Sequence, residues 1–211
     1  MGQGLEPSLA YEELLWRLGY CRVAGVDEVG RGALAGPLVA AAVILPPTPQ
    51  VADQLAGVRD SKQLSPRARC ALDRRIRAVA LSVGLAVVPS ALVDAAGLAA
   101  AGRLALCRAV AALDCEPDFM LVDGFRLLGS AIPHLALVRG DARCLSVAAA
   151  SVVAKVARDR WMGALHARYP HYGFDCHKGY GTPTHLAALA VLGPCPEHRR
   201  TYAPLRSRGA T

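Results

Sequence analysis

Runs of apolar residues, separated by turn and capping signals, divide this chain into alternating strands and helices. The dipeptide Ser65-Pro66 is typical of a helix start. Helical patterns cover 65–80, 89–113, 146–168 and 184–192. Short runs rich in β-favouring residues predict five strands, at 22–29, 37–45, 81–88, 118–123 and 135–139.

The order of these elements predicts an α/β fold with a mixed sheet of five strands flanked by helices. The first three strands lie close together in the sequence, which favours an antiparallel meander. The later strands need helical crossovers, so we expect them to run parallel to the first. A length of 211 residues is typical of one ordinary domain.

The composition excludes several classes of protein. Hydrophobic residues make up 53% of the chain and charged residues only 19%, which excludes disorder. No apolar segment is clean enough to predict a transmembrane helix, and the N-terminus lacks the basic start and apolar run of a signal peptide. Seven cysteines without a C-x-x-C pair indicate reduced thiols, so we expect a cytoplasmic protein.

Positive charge is concentrated in the last third of the chain. The net charge is +7, and residues 155–211 contain nine Lys or Arg against three acids, a local excess of +6. An excess of this kind indicates a polyanionic partner.

Carboxylates stand where the predicted strands end. Asp27 and Glu28 close the first strand, Asp123 closes the fourth, and Asp141 follows the fifth. In open α/β sheets the ligand crevice lies beyond the strand ends, so these acids could converge there. Clustered carboxylates repel one another, and Mg²⁺ or Mn²⁺ would relieve that repulsion. Two such ions are the usual device for phosphodiester displacement.

A glycine-rich turn follows the first pair of acids at once. Gly30, Arg31 and Gly32 could bring the backbone close to a ligand, because glycine exposes its N–H and C=O groups. The spacing with Gly36 is one residue too long for a dinucleotide fingerprint.

These residues open a series of motifs that resembles bacterial ribonuclease HII, in order, over about residues 20–206. The departures at Val29, Arg139 and Thr201-Tyr202 affect none of the expected ligands, and the first 20 residues resemble nothing specific. The motifs are DEVGRG and AGP within 27–37, DSKQL at 60–64, VDG at 122–124, RGD at 139–141, SVAAASVVAKVARD at 146–159, YGF at 172–174, HKGYGT at 177–182 and HRRTYAP at 198–204.

The resemblance implies a ribonuclease H-like fold with a helical C-terminal extension. It divides the chain into an N-terminal extension (1–20), a catalytic domain (21–168) and a substrate-contacting loop, helix and basic tail (169–211). It also implies an endonuclease that cuts the RNA strand of RNA–DNA hybrids and incises 5′ of single ribonucleotides in duplex DNA, leaving 3′-OH and 5′-phosphate ends.

The resemblance also assigns roles to residues. The catalytic metal carboxylates would be Asp27, Glu28, Asp123 and Asp141, holding two Mg²⁺ or Mn²⁺ ions with substrate bound. The backbone of Gly30, Arg31 and Gly32 would read the 2′-OH, and Tyr180 would pack on the sugar after the ribonucleotide. Lys62 and Lys178 are candidate phosphate contacts. No obligate protein partner and no membrane contact are expected.

Some of these residues could have purely structural roles, and other functions are also consistent with the sequence. Asp159 lies four residues after Lys155, which favours an ion pair over a metal role. The histidines and cysteines of the last third fit no zinc pattern. Tyr180 could be a core residue. The rival functions are a ribonuclease HIII, a non-catalytic nucleic-acid-binding protein on the same fold, and a DNA nuclease such as a resolvase or integrase core.

Overall fold

A five-stranded mixed sheet forms the centre of the computed structural model, which describes residues 6–127 and 129–208. The strand order is β3-β2-β1-β4-β5. Strands β1, β2 and β3 form an antiparallel meander, and β4 runs parallel to both β1 and β5. This arrangement confirms the predicted fold class and strand directions. The strands are β1 (Val23–Val29), β2 (Leu38–Ile44), β3 (Ser82–Val88), β4 (Phe119–Asp123) and β5 (His134–Leu137).

Eight α-helices surround this sheet in the described part of the chain. Four 3₁₀ turns accompany them, at Ser61–Gln63, Gly140–Ala142, Pro170–Tyr172 and Leu205–Arg208. The helices are α1 (Ala10–Arg17), α2 (Val51–Gln54), α3 (Pro66–Val79), α4 (Ser90–Ala96), α5 (Leu98–Ala111), α6 (Leu145–Arg168), α7 (Phe174–His177) and α8 (Pro183–Leu192).

Two of the expected elements differ from the structure by more than one residue at an end. The single helix expected over 89–113 is wrong, because Gly97 separates α4 from α5 and adopts a φ of 78°. That left-handed conformation is open to glycine and interrupts the helical hydrogen bonds. Strand β5 begins one residue earlier than expected and ends at Leu137, because Arg139 adopts a left-handed φ of 55° and starts the turn that carries Asp141.

The sheet is covered on both faces, because side chains alternate along each strand. Odd-numbered residues of β2, such as Val39 and Val43, pack with α3 and α6, whereas Leu38 and Ile44 pack with α5. The alanine run 148–150 of α6 is fully buried against the sheet. The small alanine side chains therefore allow close packing of α6 on the sheet.

Both terminal segments are attached to this core. Helix α1 buries Leu15 with the start of β1 and with Val147 of α6. The C-terminal segment packs Phe174 and Leu189 against Met162 of α6. Residues 1–5 of the N-terminal extension and 209–211 of the basic tail lie outside the described residues.

None of the described helices is long and apolar enough to cross a membrane. All seven cysteines lie among the described residues, and each is a free thiol.

Candidate active site

The parallel pairing of β1 and β4 brings two of the predicted carboxylates together. Val26 is in register with Val122, so Asp27 and Asp123 follow at the same level on neighbouring strands. Asp141 lies in the 3₁₀ turn after β5, and the backbone N–H of Gly140 in that turn donates to Asp123 Oδ1 at 2.6 Å. Glu28 is the next residue along β1. All four carboxylates therefore gather at the edge where the parallel strands end, as the sequence predicted.

Burial and mutual repulsion raise the pKa of each carboxyl in this group. Burial raises the pKa of Asp27 well above its ordinary value, and the nearby Glu28 and Asp123 raise it further. Burial raises the pKa of Asp123, although the Gly140 N–H and Lys62 oppose the shift. Burial also raises the pKa of Asp141, and Asp123 adds to this effect. Four negative charges this close together therefore destabilise the folded protein unless a cation balances them.

Glu28 gives the clearest indication that these residues suit a metal ion. Its Oε1 accepts from Arg31 Nη1 at 3.1 Å, but its buried Oε2 has no hydrogen-bond partner. Burial raises the pKa of Glu28, and the Arg31 guanidinium opposes that shift. A buried oxygen without a partner beside three other carboxylates suits a hard divalent cation, which takes oxygen ligands. Within 6–127 and 129–208, no group of three or more His, Cys, Asp or Glu side chains is arranged so that it could hold a metal ion without some movement.

The glycine-rich turn lies beside these acids and is held by a buried arginine. Gly30 adopts a φ of 95°, and a Cβ at this position would lie 2.3 Å from Arg158 Nε. Arg158 is fully buried and donates to the carbonyl oxygens of Pro37, Ala35 and Lys178. It therefore joins the turn segment to the loop that carries Tyr180.

A second buried arginine limits what the turn can present to a ligand. Arg199 donates to the carbonyl oxygens of Gly36 and Arg31, and Tyr202 also donates to the Arg31 oxygen at 2.9 Å. Both lone pairs of that oxygen are thus in use. The backbone N–H groups of Arg31 and Gly32 donate to no described residue. The turn can therefore offer these two donors to a substrate hydroxyl.

Tyr180 lies next to this turn and is half-buried rather than a core residue. The N–H groups of Leu34 and Ala35 donate to the Gly179 oxygen at 2.8 and 3.2 Å. The Tyr180 ring lies over the Arg158 guanidinium, whose central carbon is 5.3 Å from the ring centroid. The ring is thus held against Arg158 and keeps part of its surface exposed.

Lys62 and Lys178 share one cleft beside the carboxylates. This cleft has a volume of about 730 Å³, and its cations Lys62, Arg69, Lys155, Arg160 and Lys178 outnumber its acids Asp159 and Asp175. Partial burial alone would lower the pKa of Lys62, but Asp60, Asp141 and Asp27 raise it above its ordinary value. Lys62 therefore interacts electrostatically with the clustered carboxylates. We call the cleft of about 730 Å³ lined by these residues the basic cleft.

Asp159 forms the expected ion pair. Lys155 Nζ lies 2.6 Å from Asp159 Oδ1, and Arg69 Nη2 lies 3.3 Å from Asp159 Oδ2. The i,i+4 spacing predicted the pair of Lys155 and Asp159, whereas the contact with Arg69 depends on how α3 packs on α6.

Several residues of the site escaped the sequence reasoning. Asp60 lies close enough to Asp123 and Asp141 to raise the pKa of both carboxyls. Ser151 hydrogen-bonds Asp27 and lowers the pKa of that carboxyl against the larger effect of burial. The structural roles of Arg158 and Arg199 were also missed, although both residues lie within the quoted motifs. A sequence pattern does not indicate which arginine is buried.

Known proteins similar to this chain carry one recurrent description. The family model described as Ribonuclease HII matches residues 24–204. A ribonuclease HII of Chloroflexus aurantiacus is 52% identical over 200 residues, covering 94% of each chain. The crystal structure of ribonuclease H2 from Pyrococcus horikoshii has a TM-score of 0.72 at 27% identity, over 88% of this chain and 96% of that one. The PCNA:RNase HII complex from Archaeoglobus fulgidus provides a further match, with a TM-score of 0.73 at 25% identity, over 86% and 95%.

Proposed function

Because this chain belongs to the ribonuclease HII family and is a metal-dependent endoribonuclease of the ribonuclease H type, we propose that its four clustered carboxylates hold the divalent metal. The buried, unpartnered Oε2 of Glu28 beside Asp27, Asp123 and Asp141 is the observation that carries this proposal. The ions are Mg²⁺ or Mn²⁺, two per site when substrate is bound. They supply activation of the attacking water and neutralisation of the departing 3′-oxygen.

The chain's own groups keep these carboxylates in position. The Gly140 N–H fixes Asp123, and Arg31 fixes one oxygen of Glu28 and leaves the other for a ligand. Asp27 Oδ1 accepts from the Glu28 N–H at 2.7 Å, which sets the angle between the two acids on β1. Preorganised ligands need little rearrangement when the charge of the reacting phosphate develops. We expect the products of cleavage to carry 3′-OH and 5′-phosphate ends.

We propose that the Gly30-Arg31-Gly32 turn recognises ribose through its free N–H donors. The 2′-OH is the group that distinguishes ribose from deoxyribose. The N–H groups of Arg31 and Gly32 have no partner among the described residues, whereas the Arg31 oxygen is already occupied. The turn would therefore donate to the 2′-oxygen.

The exposed part of the Tyr180 ring would pack on the deoxyribose that follows a single ribonucleotide. A 2′-OH at that sugar would crowd the ring, so this contact favours an RNA–DNA junction. Lys62 and Lys178 would contact phosphates along the basic cleft, because both line it and its net charge is positive. The substrates are RNA–DNA hybrids and DNA duplexes that contain ribonucleotides.

The remaining expectations stay predictions. The division at residues 20 and 168, a cytoplasmic location and the lack of an obligate protein partner belong to this group. The free thiols support a reducing compartment.

Cleavage of a DNA duplex with one embedded ribonucleotide tests the proposal most directly. We expect incision 5′ of the ribonucleotide with Mg²⁺ or Mn²⁺ and none after chelation, with an all-DNA duplex of the same sequence as the control. Metal-independent incision would contradict the assigned role of the carboxylates. Equal cleavage of the all-DNA duplex would contradict ribose recognition and favour a DNA nuclease.

A further inference from the structure

Two buried histidines form a chain of hydrogen bonds that ends on the backbone of Tyr180. His185, at the start of α8, lies with Nδ1 2.9 Å from the Tyr180 carbonyl oxygen. Its Nε2 lies 3.0 Å from Nε2 of His198. His198 Nδ1 lies 3.0 Å from the backbone nitrogen of Cys195 and 3.1 Å from the Cys195 Sγ, whose S–H can donate to the same nitrogen. Both imidazoles are buried. None of these contacts involves the carboxylates described above.

One assignment of protons satisfies every bond in this chain. The Cys195 N–H is a donor, so His198 Nδ1 must accept and His198 Nε2 must carry the proton. His198 Nε2–H then donates to His185 Nε2, which leaves His185 Nδ1–H to donate to the Tyr180 carbonyl oxygen. Each neutral ring thus acts once as a donor and once as an acceptor.

A further proton on either ring would break the chain. On His198 it would face the Cys195 N–H, and on His185 it would face the His198 Nε2–H. Burial lowers the pKa of His198 to about 4, with a contribution from His185, and burial also lowers the pKa of His185. Both rings are therefore neutral at neutral pH.

The neighbouring rings fix the orientation of the two imidazoles. His177 stacks on His185 at 4.3 Å between centroids, and Phe174 meets His185 edge-on. His177 in turn accepts from the Gly179 N–H. A rotation of His185 would therefore disturb the stacked rings as well as the loop 177–181.

We propose that His185 and His198 act as positioning residues that fix the Tyr180 backbone, and so set how its ring meets the sugar at an RNA–DNA junction. This inference rests on the proposed role of Tyr180.

Within the loop, the Tyr180 N–H donates to the His177 carbonyl oxygen, and the Tyr180 carbonyl oxygen also accepts from the Thr182 N–H at 2.8 Å. Arg158 and the turn segment donate to the carbonyl oxygens of Lys178 and Gly179. The His185 bond adds a side-chain hydrogen bond from α8 to the Tyr180 backbone.

The proton assignment can be tested without any activity measurement. In the full-length protein with ¹⁵N-labelled histidine, long-range ¹H–¹⁵N spectra at neutral pH should show His198 as the Nε2–H tautomer and His185 as the Nδ1–H tautomer. The variants His185→Ala and His198→Asn assign the signals. The opposite tautomer at either ring, or a charged ring, would overturn the relay.

A matched pair of variants at His198 tests its effect on cleavage. In His198→Gln the side-chain amide can still donate to His185, whereas in His198→Asn it can only accept from Cys195. We expect His198→Asn to lower kcat/KM for a single-ribonucleotide duplex, relative to an RNA–DNA hybrid, by about tenfold, the effect of losing one buried hydrogen bond. His198→Gln should stay near the wild-type ratio, as should the control His171→Ala at an exposed position.

A double-mutant comparison separates this inference from the role of Tyr180. In a Tyr180→Ala background, the two His198 variants should give the same ratio between substrates. If Tyr180→Ala changes the ratio but His198→Asn and His198→Gln both match wild type, the relay has no positioning role. If Tyr180→Ala leaves the ratio unchanged, the role of Tyr180 fails and the positioning role falls with it, whatever tautomers are observed.

Discussion

At the scale of single residues, three of the four proposed metal carboxylates are each held by a different neighbour. Asp27 is held by the Glu28 N–H, Glu28 by Arg31, and Asp123 by the Gly140 N–H. These contacts satisfy only some of the oxygens and leave a group of acids whose pKa values are raised. Positive charge is therefore expected to stabilise the site more than any local hydrogen bond.

Replacing Asp123 by Asn tests this balance. Asp123→Asn keeps the shape of the side chain and can still accept from the Gly140 N–H, but it removes one anionic ligand. We expect cleavage to be lost while the metal-free protein melts at the same or a higher temperature, because repulsion with Asp27 and Asp141 is reduced. Parallel cleavage and melting measurements check this. Full activity of the variant would remove Asp123 from the metal site.

The ring of Tyr180 gives a second prediction at this scale. Tyr180→Ala should lower cleavage at a single embedded ribonucleotide by roughly 5- to 150-fold, by analogy with base–aromatic stacking of about 1–3 kcal/mol. The loss within a long RNA–DNA hybrid should be smaller, because the next sugar there is ribose. Tyr180→Phe should lie near wild type if the ring face makes the contact. An equal loss on both substrates, in proteins with matched melting temperatures, would indicate general damage.

At the scale of elements, α1 is attached to the start of α6 by buried hydrogen bonds. Glu12 of α1 is buried and accepts from the backbone N–H and the hydroxyl of Ser146, at 2.8 and 2.6 Å. The segment before α1 adds a bridge between Ser8 and Cys144. These contacts lie within a few residues of Asp141, so α1 and the segment before it support the turn that carries this carboxylate.

Truncating Glu12 should weaken this attachment. Glu12→Ala leaves the buried Ser146 N–H and hydroxyl without their acceptor, so we expect a loss of about 1–3 kcal/mol in the free energy of unfolding. Glu12→Gln keeps an acceptor and should be far milder. Denaturant unfolding of the three proteins measures the difference. If Ala and Gln are equally destabilising, the negative charge rather than the hydrogen bonds holds α1 in place.

The same residue predicts a pH dependence of stability. Burial raises the pKa of Glu12 in the folded protein, so the folded state binds more protons than the unfolded state above pH 4.5. Its contribution is therefore present below that pH and is lost as the pH rises through the folded-state pKa. Relative to Glu12→Gln, the wild type should lose stability as the pH rises from about 4.5 toward the raised pKa of Glu12 in the folded protein. A constant difference over this range would show that Glu12 is not perturbed.

At the scale of the whole molecule, part of the positive charge lies beside the proposed metal carboxylates. The basic cleft is lined by Lys62 and Arg69 and, from residues 155–211 with their excess of +6, by Lys155, Arg160 and Lys178. Arg158 and Arg199 also lie in this part of the chain, but they are buried and bind backbone oxygens. The exposed part of the excess is what a nucleic acid can meet.

Substrate binding should therefore weaken steeply as salt concentration rises, through counterion release. Lys178→Ala should reduce the slope of log K against log salt by roughly 1, as expected for one lost phosphate contact. Arg17→Ala removes an equal charge at the end of α1, near the opposite end of β1, and should leave the slope unchanged. Titrations of a labelled duplex at several salt concentrations compare the proteins. Equal slopes for wild type and Lys178→Ala would place Lys178 away from the phosphates.

The sequence by itself determined the five strands and the acids that stand at their ends. The alternation of residues sets which side of a strand is buried, and acids at strand ends of a parallel pair must meet at one edge. These local rules predicted all five strands, their directions and the gathering of Asp27, Glu28, Asp123 and Asp141.

Only the tertiary structure decided which polar residues connect distant segments. Glu12 and Ser146 are 134 residues apart, and Arg158 and Ala35 are 123 apart, so no periodicity relates them. Their roles depend on burial, because a buried polar group must find its partner wherever the fold places one. The same holds for His185 and His198. Their proton positions follow from a hydrogen-bond network that forms only when α8 packs beside the segment that carries His198.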